Sequence, residues 1–354
     1  MKVFIVHEDP WNAGNPYIYT LIEEYNLLYP EDIISWGKEE FWSENIFSYD
    51  IVHFQWPNAF LSQCNQSVEE FLYHIKRIRS KGVKIVSTCH DLEPHYSQYA
   101  QKGDAIKIVY DNSDCIIHLG EYSKRLFETK YPNCIHTLLP HHVYDTIHKS
   151  CPSKEESISY LGLSKKKSYI LCFGTFRSEE ERNLIHELMS KVNKKHIGIL
   201  APGYIDLNHS ENIWIRFKNK LTKWLYQYWY GIYISGKTWM SVPENDVPYY
   251  YGASDIVFVQ RLKILNSGNI FMPMLFGKVV IGPDIGNVGP ILKEWGYPTF
   301  DVSNIQTIEP AFKKGFSMSK LDISEIRLKQ LEKYSTKVIT EKLHLLYCNI
   351  LLKN

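Results

Sequence analysis

The sequence predicts an α/β chain built from two Rossmann-like, doubly wound domains, and three observations carry that expectation. Short β-branched apolar runs alternate with helical stretches, as in parallel sheets covered on both faces. After a polar segment near the middle the alternation starts again. At 354 residues and 44% apolar composition the chain exceeds what one core organises, yet it supplies enough apolar mass for two.

In the first half the expected strands are Lys2 to Val6, Asp32 to Trp36, Ile51 to Gln55, Val83 to Cys89, Cys115 to Leu119 and Cys134 to Leu139. Helical patterns at Tyr17 to Leu28, Val68 to Ser80 and Tyr122 to Lys130 fall between them. Ser150 to Ser157 is polar and aperiodic and reads as a linker. Beyond it, strands are expected at Tyr169 to Phe173, His196 to Ala201, Gly231 to Ser235, Ile256 to Val259 and Val279 to Ile281. The matching helices are Glu180 to Asn193, Trp214 to Tyr228, Val247 to Gly252 and Gly268 to Phe276. The expected domains are residues 1–155 and 156–335, facing each other across a cleft, with a terminal helix at 336–354 returning toward the first domain and packing across the junction. Ligands of open parallel sheets sit beyond the carboxyl ends of the strands.

Charge excludes one class of partner. Lys and Arg total 40 against 39 Asp and Glu, which leaves no global electrostatic case for nucleic acid. The seven cysteines are scattered without a C-x-x-C pair, as in a reducing compartment. No secretory signal and no run long enough to span a bilayer is evident. A cytoplasmic location is expected, with the inner face of the cytoplasmic membrane as its alternative form.

The most informative corner is Phe258 to Pro283. There a strand enters a basic loop containing Lys263, Asn266-Ser267-Gly268 opens a helix, and Gly277 closes it. Small residues at a helix start leave N–H groups available to a phosphate or pyrophosphate. A second corner, Gly174-Thr-Phe-Arg177 to Arg182, follows the first strand of the second half and offers two guanidiniums to the same kind of anion. Gly231 to Thr238 formally matches G-x-x-x-x-G-K-[ST], but Ile232, Tyr233 and Ile234 are strand formers, so a phosphate loop is rejected. The absence of G-x-G-x-x-G after the first strand argues against a dinucleotide dehydrogenase.

Ser87 to His95 concentrates His90, Asp91, Glu93 and His95 at the end of the fourth strand, where acid–base work is expected. A metal site is not expected there, since the cluster shows no ligand spacing and no Asp-x-Asp occurs elsewhere. Trp214 to Tyr233 interleaves lysines with aromatics; it suits either a membrane interface or an amphipathic helix with a core-facing side.

Taken together, Asn15-Pro-Tyr17, Ile51-Val-His-Phe-Gln-Trp56-Pro57, His90 to His95, Ser113 to His118, Leu139-Pro-His141, Phe173-Gly174 with Arg177, Pro248 to Ile256 and Leu265 to Ile281 resemble the nucleotide-sugar-dependent glycosyltransferases of the GT-B fold, family 4 or group 1 type. The resemblance covers nearly the whole chain. It implies that Arg177, Arg182 and Lys263, with Asn266, Ser267, Gly268 and Asn269, hold a donor diphosphate in the second domain. It implies catalytic roles for His90, Asp91 or Glu93, with Asn15, Tyr17, Trp56 and His95 on the acceptor side. No cofactor and no metal are implied, the nucleotide sugar being a substrate. One departure stands out: where many retaining members carry Glu-x7-Glu, this chain has Ile264 and Met272.

The function expected is hexosyl transfer from a nucleotide-diphosphate sugar to a saccharide, free or lipid-linked, in surface polysaccharide synthesis, with peripheral membrane contact. Two rivals are a non-hydrolysing nucleotide-sugar epimerase and a non-catalytic sugar-nucleotide-binding protein.

Overall fold

Strand β1 (Lys2–Val6) is buried from Val3 onward and lies between β2 (Ile33–Ser35) and β3 (Ile51–Phe54), all parallel. β4 (Lys84–Cys89), β5 (Cys115–His118) and β6 (Ile135–Leu138) continue outward from β3. The order is β2-β1-β3-β4-β5-β6, so the winding reverses between β1 and β3. That reversal is where an open parallel sheet leaves a crevice at its carboxyl edge. These strands belong to a unit formed by Met1–Ile147 and Lys333–Asn354. The computed structural model describes residues 1–12, 15–92, 104–205, 212–234 and 242–352.

Aromatic packing dominates one face of this sheet. Phe41 meets Phe54 and Phe60 edge to face at 5.9 and 5.1 Å, an arrangement worth roughly 0.5–1.5 kcal/mol per pair beyond area burial. The helix Val68–Ser80 starts on a reciprocal Ser67–Glu70 capping box and buries Phe71, Ile75 and Ile78 in the same core. The helix Thr336–Leu352 packs against Tyr17–Leu28, so the end of the chain completes the first unit.

The second unit spans His148–Glu332. Its strands are β7 (Ser168–Leu171), β8 (Ile197–Leu200), β9 (Ile232–Tyr233), β10 (Ile256–Phe258), β11 (Val279–Pro283) and β12 (Thr299–Phe300). The parallel order β12-β11-β10-β7-β8-β9 reverses between β7 and β10, in register Ile170 to Ile256. Phe258 packs on Phe300 and Phe312 in its core, with ring centroids 5.3 and 5.2 Å apart.

Local chemistry explains several departures from expectation. The segment read as a linker contains a helix, Lys154–Tyr160, because Ser153 and Glu156 form a capping box. Its Ser157 lies so close to Gly252 that an added Cβ there would stand 2.2 Å from the hydroxyl oxygen. The helix expected at Gly268 to Phe276 begins as a 3₁₀ turn, Gly268–Ile270, and becomes α-helical only at Phe271–Leu275. Pro273 has no N–H to give the Asn269 carbonyl, which favours the tighter start. A long helix dipole is therefore not what this corner offers to an anion. The helix expected from Trp214 runs from Ile213 to Leu225 and ends in a π turn, Tyr226–Tyr230, closed by left-handed Gly231 (φ 67°).

Candidate functional site

In the first unit the groups of interest gather at the carboxyl ends of β1, β3 and β4. Trp56, just after β3, stacks on His90, just after β4, with centroids 4.2 Å apart and planes 23° apart. Tyr17, opening the helix after β1, meets His90 edge-on at 5.3 Å and Trp56 at 6.5 Å. Tyr17 and His90 are buried, and of the three rings Trp56 alone is half-buried, so the expectation of Tyr17 at a ligand surface is not met: its ring packs on His141 and His142 instead. The Asn15 side-chain oxygen accepts from the Tyr17 N–H at 3.1 Å; its observed role is to fix the helix start.

A buried polar chain orients His90. Gln55 Oε1 accepts from His90 Nε2–H at 2.8 Å, while the Gln55 amide donates to His53 Nε2 at 3.2 Å. The Thr88 hydroxyl donates to that same His53 nitrogen at 2.8 Å, and His53 Nδ1–H donates to the Tyr347 oxygen at 2.6 Å. Burial pushes His53 down to about 3, so it enters the chain uncharged. The bond to Gln55 fixes the orientation of the His90 ring. Asp91 is half-buried and its carbonyl accepts from Tyr110 Oη at 3.4 Å. Glu93 and His95 lie outside the described residues.

Two further histidines line the Tyr17 side. The His141 ring lies 4.4 Å from Tyr17, with Nδ1–H donating to the His142 carbonyl at 2.6 Å and Nε2 accepting from Tyr144 Oη at 3.1 Å. Burial holds His141 well below the usual histidine value and pushes His142 down to about 4. Tyr144 is the one described non-glycine residue with positive φ (64°), a left-handed conformation held by the Tyr144 N–H bond to His142 Nδ1.

In the second unit, the loops after β7 and β10 interlock at the point where the winding reverses. Gly174 is left-handed (φ 87°), and a Cβ there would stand 3.0 Å from Asn269 Nδ2, which donates to the Phe173 carbonyl at 2.8 Å. Arg261 Nη1 reaches Glu181 Oε2 at 2.6 Å while Nη2 donates to the Thr175 carbonyl at 2.6 Å. The same Glu181 oxygen accepts the Arg177 N–H at 2.8 Å. Asn287 ties the far side, donating from its backbone to Leu265 O and from Nδ2 to Asn266 Oδ1, both at 2.8 Å. Such cross-linking fixes the backbone of both loops.

The structure thus brings Asn266, Ser267, Gly268 and Asn269 beside the Gly174 to Arg177 loop. Arg177 and Lys263 are exposed there, and Ser267 is buried. Arg182 points toward the end of β8, its Nε donating to the Tyr204 carbonyl at 3.1 Å, so the two expected guanidiniums do not stand side by side in equivalent roles. Arg261, directly after β10, was missed. So were Gln55 and the Tyr17-facing role of His141. Position at a strand's carboxyl end was the available signal for Arg261 and Gln55. Ile264 and Met272 supply no carboxylate at the Glu-x7-Glu positions. The Gly231 match has a two-residue strand where a phosphate loop would curl, and its Gly236-Lys237-Thr238 part lies outside the described residues. Among the described residues no group of three or more His, Cys, Asp or Glu is placed to hold a metal ion, and no helix is long and apolar enough to cross a membrane.

No protein-family model and no curated protein matches the chain. Solved structures do. Sucrose-phosphate synthase from Thermosynechococcus elongatus aligns over 100% of both chains with a TM-score of 0.72 at 12% identity. Anabaena HepE in complex with UDP-glucose aligns over 99% of this chain and 100% of its own, with a TM-score of 0.65 at 10% identity. The catalytic domain of starch synthase IV from Arabidopsis thaliana, bound to ADP and acarbose, covers 99% of each chain with a TM-score of 0.60 at 14% identity. At these identities the likeness shows the fold, which is GT-B, with two six-stranded parallel sheets.

Proposed function

We propose that the protein transfers a sugar from a nucleoside-diphosphate sugar to a saccharide hydroxyl without a metal ion. The observation that carries this reading is the pre-organised corner of the second unit, where Arg261 and Glu181 lock the Gly174 loop against the Asn266 to Asn269 loop. Neighbours of the same fold are described with UDP-glucose and with ADP, which supports a nucleotide sugar as donor.

In the reaction proposed, the bond between the anomeric carbon and the diphosphate oxygen breaks as the acceptor oxygen bonds to that carbon. Charge then accumulates on the departing diphosphate, and fixed donors aimed at that charge are the largest available catalytic contribution. Arg177 and Lys263, exposed beside the loop, and the backbone of Ser267, Gly268 and Asn269 take that role. Arg261 acts through the loop it holds.

The acceptor proton goes to the His90–Asp91 corner. Asp91 is the half-buried carboxylate at that strand end, and the His90 ring beside it is oriented by Gln55. General-base assistance of this kind is worth on the order of 10²–10⁴-fold. Trp56, half-buried over the buried Tyr17, is the apolar wall on which a sugar face rests. A lipid-linked saccharide in surface-polysaccharide assembly is the acceptor class this reading favours, with the chain working at the cytoplasmic side of a membrane.

Nucleoside diphosphate release, followed with and without a saccharide acceptor, tests the proposal. Acceptor-dependent release supports it. Donor interconversion without acceptor assigns an epimerase, and binding without turnover assigns a sugar-nucleotide-binding protein.

A further inference from the structure

The helix Ile213–Leu225 and the π turn after it contain no buried residue, although they carry some of the most apolar side chains in the second unit. Trp214 is 76% exposed, Ile213 75% and Tyr228 66%. At 3.6 residues per turn, Ile213, Phe217, Leu221, Trp224 and Tyr228 fall on one stripe, about a quarter of the circumference wide. The opposite face, Ile215, Asn219, Thr222 and Tyr226, is the less exposed one, and Tyr226 packs on Tyr204 at 5.5 Å. The outward stripe therefore faces away from the protein's own core. Trp224 and Tyr228 stack along it at 5.2 Å and 11°, forming a preassembled aromatic ledge.

Charge decides what the stripe fits. Arg216, Lys220 and Lys223 flank one side of it and Lys218 the other, and from Asn212 to Ile234 there is no Asp or Glu. Lys194 adds a further cation where its Nζ donates to the Trp229 carbonyl at 3.1 Å. A protein partner would be expected to meet this face with a mixture of polar contacts. An apolar stripe bordered by cations with no acidic residue among them complements a surface that is apolar within and anionic at its edge, which is an anionic lipid bilayer. Tryptophan and tyrosine suit the headgroup level, and lysine stems extend their ammonium groups back to it.

We infer that Ile213–Tyr230 is an in-plane anchor that seats the second unit on an anionic membrane surface, with Trp214, Phe217, Leu221 and Trp224 entering the interface. The inference does not depend on the sugar-transfer reading and holds whatever reaction the chain catalyses. It also places the protein where a lipid-linked substrate is presented.

Co-sedimentation of the full chain with vesicles of phosphatidylcholine alone, and of phosphatidylcholine with phosphatidylglycerol, tests it. The expected result is binding to the anionic vesicles that weakens as salt rises. Arg216→Gln/Lys218→Gln/Lys220→Gln should weaken that binding about a hundredfold. Trp214→Ser/Phe217→Ser/Trp224→Ser should abolish it, with circular dichroism and melting temperature unchanged because the replaced side chains lie outside the core. Failure of the wild type to bind anionic vesicles, or equal binding by both variants, would overturn the inference. A dimer that the triple-serine variant dissolves, with no vesicle binding, would instead assign the face to a second copy of the chain.

Discussion

Arg261 Nη1 lies 2.6 Å from Glu181 Oε2, with both side chains only 5% exposed. The pair joins the start of the helix Glu179–Lys191 to the loop after β10, and through the Thr175 carbonyl and the Arg177 N–H it holds the Gly174 loop between them. An ion pair this buried gains little net stability over an apolar pair, but leaving one partner alone is expensive. Its function is to fix the loop.

Glu181→Gln therefore leaves a buried guanidinium without its counter-charge and should destabilise the second unit by about 3–5 kcal/mol. Arg261→Met/Glu181→Leu should recover most of that loss while donor affinity stays impaired, because the loop tether is gone. Chemical denaturation paired with donor titration checks both halves of this expectation.

Gly174→Ala puts a side chain at φ 87° and 3.0 Å from Asn269 Nδ2. A left-handed non-glycine residue costs about 1–2 kcal/mol, and Asn269 must also move off the Phe173 carbonyl. We expect a stability loss of that size and roughly tenfold weaker donor binding, an affinity change of about 1.4 kcal/mol. Calorimetric titration with nucleoside diphosphates measures it.

Acid should unfold the first unit early. Burial pushes His53 and His118 down to about 3 and His142 down to about 4, from an unfolded value of 6.5. A histidine with a depressed folded pKa contributes stability that is complete above the unfolded value and is lost as pH falls toward the folded one. Between about pH 7 and about pH 5 each of the three removes about 2 kcal/mol. Unfolding free energy followed across that window should fall steeply, and His142→Asn should flatten the slope.

Gln55→Leu tests the positioning chain. It removes the acceptor that holds His90 Nε2–H and the donor to His53, so kcat should fall on the order of tenfold while KM for the donor is unchanged. A shifted pH–rate profile would separate this from a merely structural loss.

Much of the fold was legible because eleven of the twelve strands fall in short runs rich in apolar, β-branched residues set between helical patterns. β12 escaped notice, since two residues leave no periodicity to read. The helix at Lys154–Tyr160 had a visible signal, Ser153-x-x-Glu156, hidden by the polar surroundings that made the segment look like a linker. Site legibility was poorer. Lys263 and Arg177 stood out as charged residues in loops, yet the cation that organises the corner is Arg261, and only the fold shows which guanidinium is buried against which carboxylate. His90 was legible by position, whereas its link through Gln55 and His53 to Tyr347 joins residues nearly 300 apart in the chain.

The central claim is that the second unit grips a nucleoside diphosphate with Arg177 beside the Gly174 loop, and its most direct test is the rate of nucleoside diphosphate release for wild type and Arg177→Ala, with and without a saccharide acceptor. We predict acceptor-dependent release from the wild type and a loss on the order of 100-fold in the variant, with an unchanged melting temperature. An Arg177→Ala protein that releases nucleotide at the wild-type rate would contradict the assignment.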